Sequence, residues 1–112
     1  MPLINLRTNI SNIHDADGLL KSLSAALASA TAKPERYVMT LLEAGIPMTF
    51  AGSNEPCAFV EIKSIGSLVP AAMSAQFCEL IEASLGISKD RIYLGFHDVS
   101  ASEWGWDGRT FG

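Results

Sequence analysis

Two strand–helix–strand segments follow one another in this chain, and this repeat limits the folds open to it more than any other feature. In the first segment a strand over Pro2–Ile10 is followed by an amphipathic helix and by a strand over Tyr37–Leu42. Asp15 is placed to cap the helix, and Pro34 ends it because the residue before a proline avoids the helical region. The apolar stripe of the helix consists of Ala16, Leu19, Leu20, Leu23, Ala26, Leu27 and Ala30.

The second segment has the same order of elements. Strands are predicted over Cys57–Ile65 and Ile92–Phe96, with Gly86 as the C-terminal cap of the helix between them. Turn-forming residues on either side isolate a short extended piece, Met48–Phe50, between the two segments. One face of the second helix is marked by Val69, Ala72, Met73, Gln76, Phe77, Leu80, Ile81 and Ser84.

The repeat predicts an α/β fold in which each segment is a right-handed crossover between parallel strands. We expect one domain, 1–112, with an internal pseudo-repeat of 2–50 and 57–105, forming a four-stranded mixed sheet with both helices on one face. The strands read as apolar on both sides, because Cys57 and Phe59 alternate with Ala58 and Val60. Two helices cover only one face, so we expect other copies of the chain to cover the second.

Charge and composition exclude several classes of function. The chain has 8 Lys and Arg against 12 Asp and Glu and no basic cluster, so we expect no nucleic-acid partner. No apolar stretch reaches the roughly 18 residues that suggest a membrane-spanning helix. The N-terminal segment MPLINLRTN has no basic part followed by an apolar run, which predicts no secretory signal and a cytoplasmic location. Few cysteines and histidines, without a Cys-x-x-Cys motif, predict neither a disulfide scaffold nor a metal site.

Two residues are functional candidates by their own chemistry. Removal of Met1 would expose the secondary amine of Pro2, whose pKa falls below the usual roughly 7.7–8.0 when it is buried or lies near a cation. Such an amine is a general base, whereas the alternative is a proline that only starts a strand. Lys33, at the end of the first helix, either complements the helix dipole or binds an anionic substrate as a point charge.

Aromatic residues near the C-terminus suggest two roles. Trp104, Trp106 and Phe111 are separated by glycines and so do not form a helix face; they either pack on a neighbouring subunit or form the wall of a small-molecule pocket. Tyr37 and Tyr93, near the starts of the closing strands, are expected to pack in the core with their hydroxyls satisfied. Cys57 is expected to be a small buried hydrophobe rather than a nucleophile.

Several motifs resemble the macrophage migration inhibitory factor family of the tautomerase superfamily, from Pro2 to Gly112. The motifs are PLINLRTN, the Lys33-Pro34 step followed by Tyr37, PMTFAGSNEPCAFVEIKSIG, ISKDRIYLGFHD and GWDGRTFG. The resemblance implies the fold of that family and a homotrimer with active sites at the subunit interfaces. It also implies cofactor-independent keto–enol tautomerisation of phenylpyruvate-like substrates, and of dopachrome-like ones in some members.

The resemblance further implies roles for individual residues. The catalytic base of the family falls on Pro2, and its carboxylate-binding lysine falls on Lys33. The other substrate-binding positions fall on Ser64, Ile65, Tyr37, Trp106 and Phe111, and on Tyr93 of the neighbouring subunit. No metal or organic cofactor is expected.

Three positions depart from the animal members of the family. Gly95 replaces an asparagine that contacts substrate, Lys63 replaces a histidine beside the pocket, and Val60 removes the second thiol of a Cys-x-x-Cys motif. Two alternatives stay open. In the first, the chain is a cytokine-like signalling or host-interaction protein that binds a receptor, and its tautomerase activity is vestigial. In the second, Pro2 is a nucleophile that forms an iminium ion with a carbonyl substrate.

Overall fold

The computed structural model describes residues 1–112 and contains both strand–helix–strand segments. The first consists of β1 (Leu3–Thr8), α1 (Ala16–Thr31) and β2 (Met39–Glu43). The second consists of β3 (Ala58–Ser64), α2 (Pro70–Leu85) and β4 (Ile92–Asp98). Short 3₁₀ turns, Glu35–Tyr37 and Lys89–Arg91, precede β2 and β4, and a hairpin of β5 (Gly105–Trp106) and β6 (Arg109–Thr110) lies near the C-terminus.

The four main strands form one mixed sheet in the order β2-β1-β3-β4. Each crossover joins parallel strands, β1 to β2 and β3 to β4, while the central strands β1 and β3 run antiparallel. In the central pair, Leu3 lies opposite Lys63 and Thr8 lies opposite Ala58. The predicted fold class, with two helices on one face of a four-stranded mixed sheet, is confirmed.

The core lies between this sheet and the two helices. Alternate strand residues such as Ile4, Leu6, Val60 and Ile62 are fully buried against the helices. The buried positions of the helices are Leu19, Leu23, Leu27 and Thr31 in α1 and Met73, Phe77 and Ile81 in α2. The predicted helical stripes are thus largely confirmed. The stripe of α2 is narrower than predicted, because its N-cap residue Val69 is 56% exposed and Ala72, Gln76 and Ser84 are exposed as well.

The helix ends follow local signals. The Asp15 side chain accepts a hydrogen bond from the Gly18 amide at 2.9 Å, which confirms the predicted cap of α1. Gly86 ends α2 in the left-handed region, as predicted. Helix α1 ends earlier than Pro34 requires, because Ala32 already takes the left-handed conformation with φ of 54°. Neither helix is long and apolar enough to cross a membrane.

Most predicted strand boundaries were wrong by one or two residues, including both ends of β1 and of β3. Tyr37 closes a 3₁₀ turn, so β2 begins at Met39 rather than at Tyr37. Strand β4 continues past Phe96 to Asp98, because its pairing with β3 extends to Ser64. The extended piece Met48–Phe50 is reduced to one bridge between Phe50 and Ser53, closed by two residues with positive φ.

The face of the sheet that the helices leave open, called the open face below, carries a charged cluster. Arg7 bonds Glu43 at 2.8 Å and Glu61 at 3.2 Å, and the Asn5 amide donates to Glu43 at 2.8 Å. His97 lies 3.8 Å from the second oxygen of Glu61. The hydrogen bonds from Asn5 and Arg7 lower the pKa of the Glu43 carboxyl. The prediction that the strands are apolar on both faces was therefore wrong for the centre of this face.

Apolar side chains surround that cluster on the open face. Met39 and Leu41 on β2 are 57% and 38% exposed, and Tyr93 on β4 is 65% exposed. Phe59 is half-buried beside Tyr93. Cys57, which we expected on this face, instead precedes β3 and is fully buried. Its carbonyl accepts a hydrogen bond from the Thr8 hydroxyl, and its amide donates one to the Asn9 side chain. The open face is thus a mixed surface with exposed apolar edges.

Candidate active site

The pairing of β1 brings the N-terminus to the end of β3. Pro2 immediately precedes β1 and is fully buried, and its carbonyl accepts a hydrogen bond from the Met39 amide at 3.1 Å. Because Leu3 lies opposite Lys63, the antiparallel register places Pro2 opposite Ser64. The N-terminus is therefore anchored between two strands rather than free in solvent.

The environment of the N-terminus favours a neutral amine. Burial, followed by the positive charge of Lys33, lowers the pKa of the terminal amino group of Met1 from its usual value of 8.0. Lys33 occupies this place because α1 closes at Ala32, after which the Lys33 amide bonds the Ala28 carbonyl at 3.1 Å. Two residues predicted from their chemistry alone, Pro2 and Lys33, are thus brought to the same end of the sheet.

Three predicted aromatic residues form one cluster. The ring of Tyr37 packs edge-on against Trp106, with centroids 5.5 Å apart, and against Phe111 at 6.5 Å. Trp106 and Phe111 stack nearly parallel, with centroids 5.8 Å apart. Edge-to-face and offset-stacked arrangements are those that aromatic pairs prefer. The cluster is therefore a well-packed wall, and Tyr37 belongs to it rather than to the core.

A tight hairpin places the C-terminal part of that wall. Asp107 and Gly108 form the turn between β5 and β6 with φ of 54° and 77°. Positive φ at both central positions is typical of a type I′ turn, for which Asp-Gly is a favoured sequence. The Phe111 amide then bonds the Trp104 carbonyl at 3.1 Å, which returns the chain to the cluster.

A cavity of about 170 Å³ lies between this wall and the N-terminus. It is lined by Met1, Arg36, Tyr37, Val38, Met39, Trp104, Trp106 and Phe111. Ligand sites usually have about 300–1,000 Å³, and the side chain of Met1 occupies part of the wall here. Loss of Met1 would therefore enlarge the cavity and open it towards Pro2. The sequence did not predict Arg36 as a lining residue, because an arginine in a turn between Glu35 and Tyr37 is expected to face solvent.

Ser64 and Ile65 lie close to the N-terminus but do not line this cavity. The hydroxyl of Ser64 is fully buried and has no hydrogen-bond partner within the chain. The Ser64 carbonyl accepts from the Val99 amide at 2.9 Å, and Ile65 is half-buried. A buried hydroxyl without a partner is unfavourable, but this one is not accessible from the cavity, so the substrate contact that the resemblance implies for Ser64 stays a prediction.

Tyr93 lies away from the cavity. It pairs with Phe59, whereas the N-terminus lies beyond Lys63, so four residues of β3 separate them by about 13 Å. Its ring packs edge-on against Phe50 at 4.9 Å. The expectation that Tyr93 packs in the core was wrong, because it lies on the open face. Gly95 follows on the same face, where a Cβ atom would meet the Phe59 ring at 3.7 Å.

Other cavities do not contain the predicted site residues. Four other cavities are larger: those of about 350 and 550 Å³ lie near the start of α1 and beside the loop after β2, and those of about 320 and 290 Å³ lie around Lys63. No three His, Cys, Asp or Glu side chains lie close enough together to hold a metal ion. Cys57 and Cys78 are both free, and burial raises the pKa of the Cys78 thiol. The cavity beside the N-terminus is thus the one that predicted site residues line, namely Tyr37, Trp106 and Phe111.

Comparisons of the sequence and of the fold with known proteins identify a family. A family model described as Macrophage migration inhibitory factor (MIF) matches residues 1–112. The macrophage migration inhibitory factor of Meriones unguiculatus is 39% identical over 114 residues, covering 99% of each chain, and the homolog of Brugia malayi is 36% identical over 115 residues, covering all of both. The crystal structure of a homologue from Prochlorococcus marinus superposes with a TM-score of 0.94 at 50% identity, covering 98% of this chain and 99% of that one. The chain belongs to the macrophage migration inhibitory factor family.

Proposed function

We propose that this protein is a cofactor-independent keto–enol tautomerase of phenylpyruvate-like 2-keto acids, with the N-terminal amine of Pro2 as the general base. The observation that carries the proposal is an N-terminus beside an aromatic cavity, where burial and Lys33 lower the pKa of the Met1 amino group and where Pro2 is fully buried. Membership of the family supports tautomerase activity in general. The particular substrate and the role of Pro2 are our inference from the site.

The reaction is a proton transfer through one nitrogen. After loss of Met1, Pro2 carries a secondary amine at this buried position, and we expect burial and Lys33, which lower the pKa of the Met1 amine, to lower the pKa of the Pro2 amine as well. In one direction the neutral amine takes the enol hydroxyl proton and returns a proton to the α-carbon. In the other it takes the α-proton and returns a proton to the oxygen. The amine ends each cycle in its starting form.

The surrounding residues hold the substrate against this nitrogen. Lys33 binds the carboxylate, which fixes the reacting carbon near the amine. The wall of Tyr37, Trp106 and Phe111 packs against the aromatic ring and excludes water. Ser64 and Ile65 lie at the same end of the sheet and are the further substrate contacts of this proposal.

We propose that three copies assemble through their open faces and that Tyr93 of a neighbouring copy completes each site. Within one chain Tyr93 is too far from the cavity to touch a substrate there, as the register shows. Its exposed ring lies on the open face together with Met39 and Leu41, which are also exposed. Burial of this face by other copies would remove these apolar side chains from water.

The pH dependence of turnover tests the base. The value of kcat/KM for phenylpyruvate is expected to rise with pH through one ionisation below 8.0, because only the neutral amine accepts a proton. Since Lys33 contributes to the lowered pKa, the Lys33→Ala variant should show a midpoint shifted upward, towards 8.0. A profile that does not change with pH, or a midpoint above 8.0 in the wild type, contradicts the proposal.

Lys33→Ala is also expected to raise KM by about tenfold, with a smaller change in kcat, because a carboxylate clamp acts on ground state and transition state alike. Steady-state kinetics with phenylpyruvate measure both. Lys21→Ala, which removes the same charge from the exposed surface of α1, is the matched control. An unchanged KM in Lys33→Ala removes this residue from the substrate site.

Borohydride trapping separates general-base catalysis from nucleophilic catalysis. If Pro2 attacks the substrate carbonyl and water leaves, the resulting iminium ion is reduced to a stable amine that adds the substrate skeleton to the chain mass. The proposed proton transfer forms no such bond. We expect no adduct after borohydride treatment during turnover, and an adduct on Pro2 would show the nucleophilic route.

A further inference from the structure

Arg36 is the one arginine whose guanidinium forms no hydrogen bond and no ion pair within the chain. Arg7, Arg91 and Arg109 each form ion pairs or hydrogen bonds with carboxylates or backbone carbonyls. Arg36 forms neither, although a guanidinium has five N–H donors in a planar fork. Its donors are therefore free to bind a ligand.

Stacking on Tyr37 holds this free guanidinium at the cavity. The central carbon of the Arg36 guanidinium lies 4.7 Å from the centroid of the Tyr37 ring, a cation–π geometry. Tyr37 is itself fixed by its edge-on contacts with Trp106 and Phe111. Arg36 is thus oriented in advance, which lowers the entropy that binding a ligand would lose.

Two cationic side chains, Lys33 and Arg36, lie near the N-terminus and the cavity. Lys33 acts on the terminal amine, whereas Arg36 is the charged residue that lines the cavity. Three residue steps separate them, so their Cα atoms are at most about 11 Å apart. No acidic side chain lines the cavity to neutralise either charge. Aromatic and aliphatic side chains form the rest of the lining.

We propose that the site is suited to aromatic 2-keto acids that carry a second anionic group on the ring, and that Arg36 is the specificity-determining residue that binds this second group. The inference rests on the proposed function, in which Lys33 holds the 2-keto carboxylate beside the amine. A guanidinium binds a carboxylate through two parallel hydrogen bonds, which a lysine does not offer. A substrate with one anionic group is still bound, and Arg36 then stays hydrated. Arg36 therefore favours substrates with two anionic groups by an additional attraction and does not exclude the others.

Binding of two stable analogues of the planar enol tests this subsite without turnover. Cinnamate has one carboxylate, and 4-carboxycinnamate has a second one at the far end of the ring. Their dissociation constants are read from fluorescence of Trp104 and Trp106, which both line the cavity. The wild type is expected to bind 4-carboxycinnamate about three- to tenfold more tightly than cinnamate, the range for an exposed but oriented ion pair.

Three variants identify the source of that preference. Arg36→Gln is expected to bring the ratio of the two dissociation constants close to one and to leave cinnamate binding within about twofold. Arg36→Lys should keep part of the preference, since the point charge remains without the fork. Lys21→Gln removes a charge from the exposed surface of α1 and should behave as the wild type.

Two results would overturn the inference. A ratio that is unchanged in Arg36→Gln excludes Arg36 from the second subsite. An equal loss of affinity for both ligands makes Arg36 a contact for the carboxylate that they share. The proposed function fails differently: a wild type that keeps the binding preference but does not turn over any 2-keto acid refutes the reaction and leaves the subsite intact.

Discussion

Retention of Met1 is expected to lower tautomerase activity by at least about a hundredfold, because the nitrogen of Pro2 is then an amide without a basic lone pair. The side chain of Met1 also lines the cavity and would compete with substrate for space. An alanine inserted before Pro2 should have the same effect, since the terminal amine is displaced by one residue. Initial rates with phenylpyruvate, on proteins whose N-termini are verified by mass, measure the loss.

Pro2→Gly is the matched variant for this experiment. It keeps a terminal amine at the same position but loses the rigid ring and the secondary amine, so a weak residual activity should remain. All forms should show the same thermal stability as the processed protein before their rates are compared. Full activity in the form that retains Met1 would overturn the assignment of Pro2 as the base.

Leu41→Asp is expected to dissociate the assembly and to remove most activity with it. Leu41 is 38% exposed on the open face of one chain, and burial of an unpaired carboxylate between copies costs several kcal/mol. Light scattering should give about three times the 12.0 kDa chain mass for the wild type and about one chain mass for the variant. Activity should fall by more than about tenfold, because the neighbouring Tyr93 no longer reaches the site.

Val69→Asp is the control for that substitution. Val69 is 56% exposed, but it caps α2 and lies off the open face. Aspartate is a favoured N-cap residue, so this variant should keep its fold, its assembly and its activity. A wild type that is monomeric at micromolar concentration and fully active would exclude both the trimer and a role for Tyr93 of a neighbouring copy.

Hydrophobic spacing alone predicted the two helices and the four main strands, because burial of one stripe depends on local periodicity. The open face could not be predicted in the same way. Arg7 and Glu61 meet only because the register of β1 and β3 sets Leu3 opposite Lys63. A pattern along one strand does not contain that register, so the charged cluster was read as part of an apolar surface.

The site was predictable to the extent that single residues reveal their chemistry. Pro2 and Lys33 were candidates by residue type, but their proximity depends on the left-handed turn at Ala32 that ends α1. The Asp107-Gly108 pair is a sequence signal for a two-residue hairpin turn, so the aromatic hairpin is predictable from the sequence as well. Arg36 gave no such signal, because its stacking on the neighbouring Tyr37 ring and its place in the cavity appear only in three dimensions.

The central claim is that the amine of Pro2 is a base whose pKa lies below that of an ordinary terminal amine. A ¹⁵N NMR titration of the protein without Met1, labelled with ¹⁵N-proline, tests it most directly, because every other proline nitrogen is an amide that does not titrate. We predict one titrating nitrogen with a pKa below 8.0, at the same pH as the midpoint of kcat/KM. A pKa at or above 8.0, or one that differs clearly from the kinetic midpoint, would contradict the account.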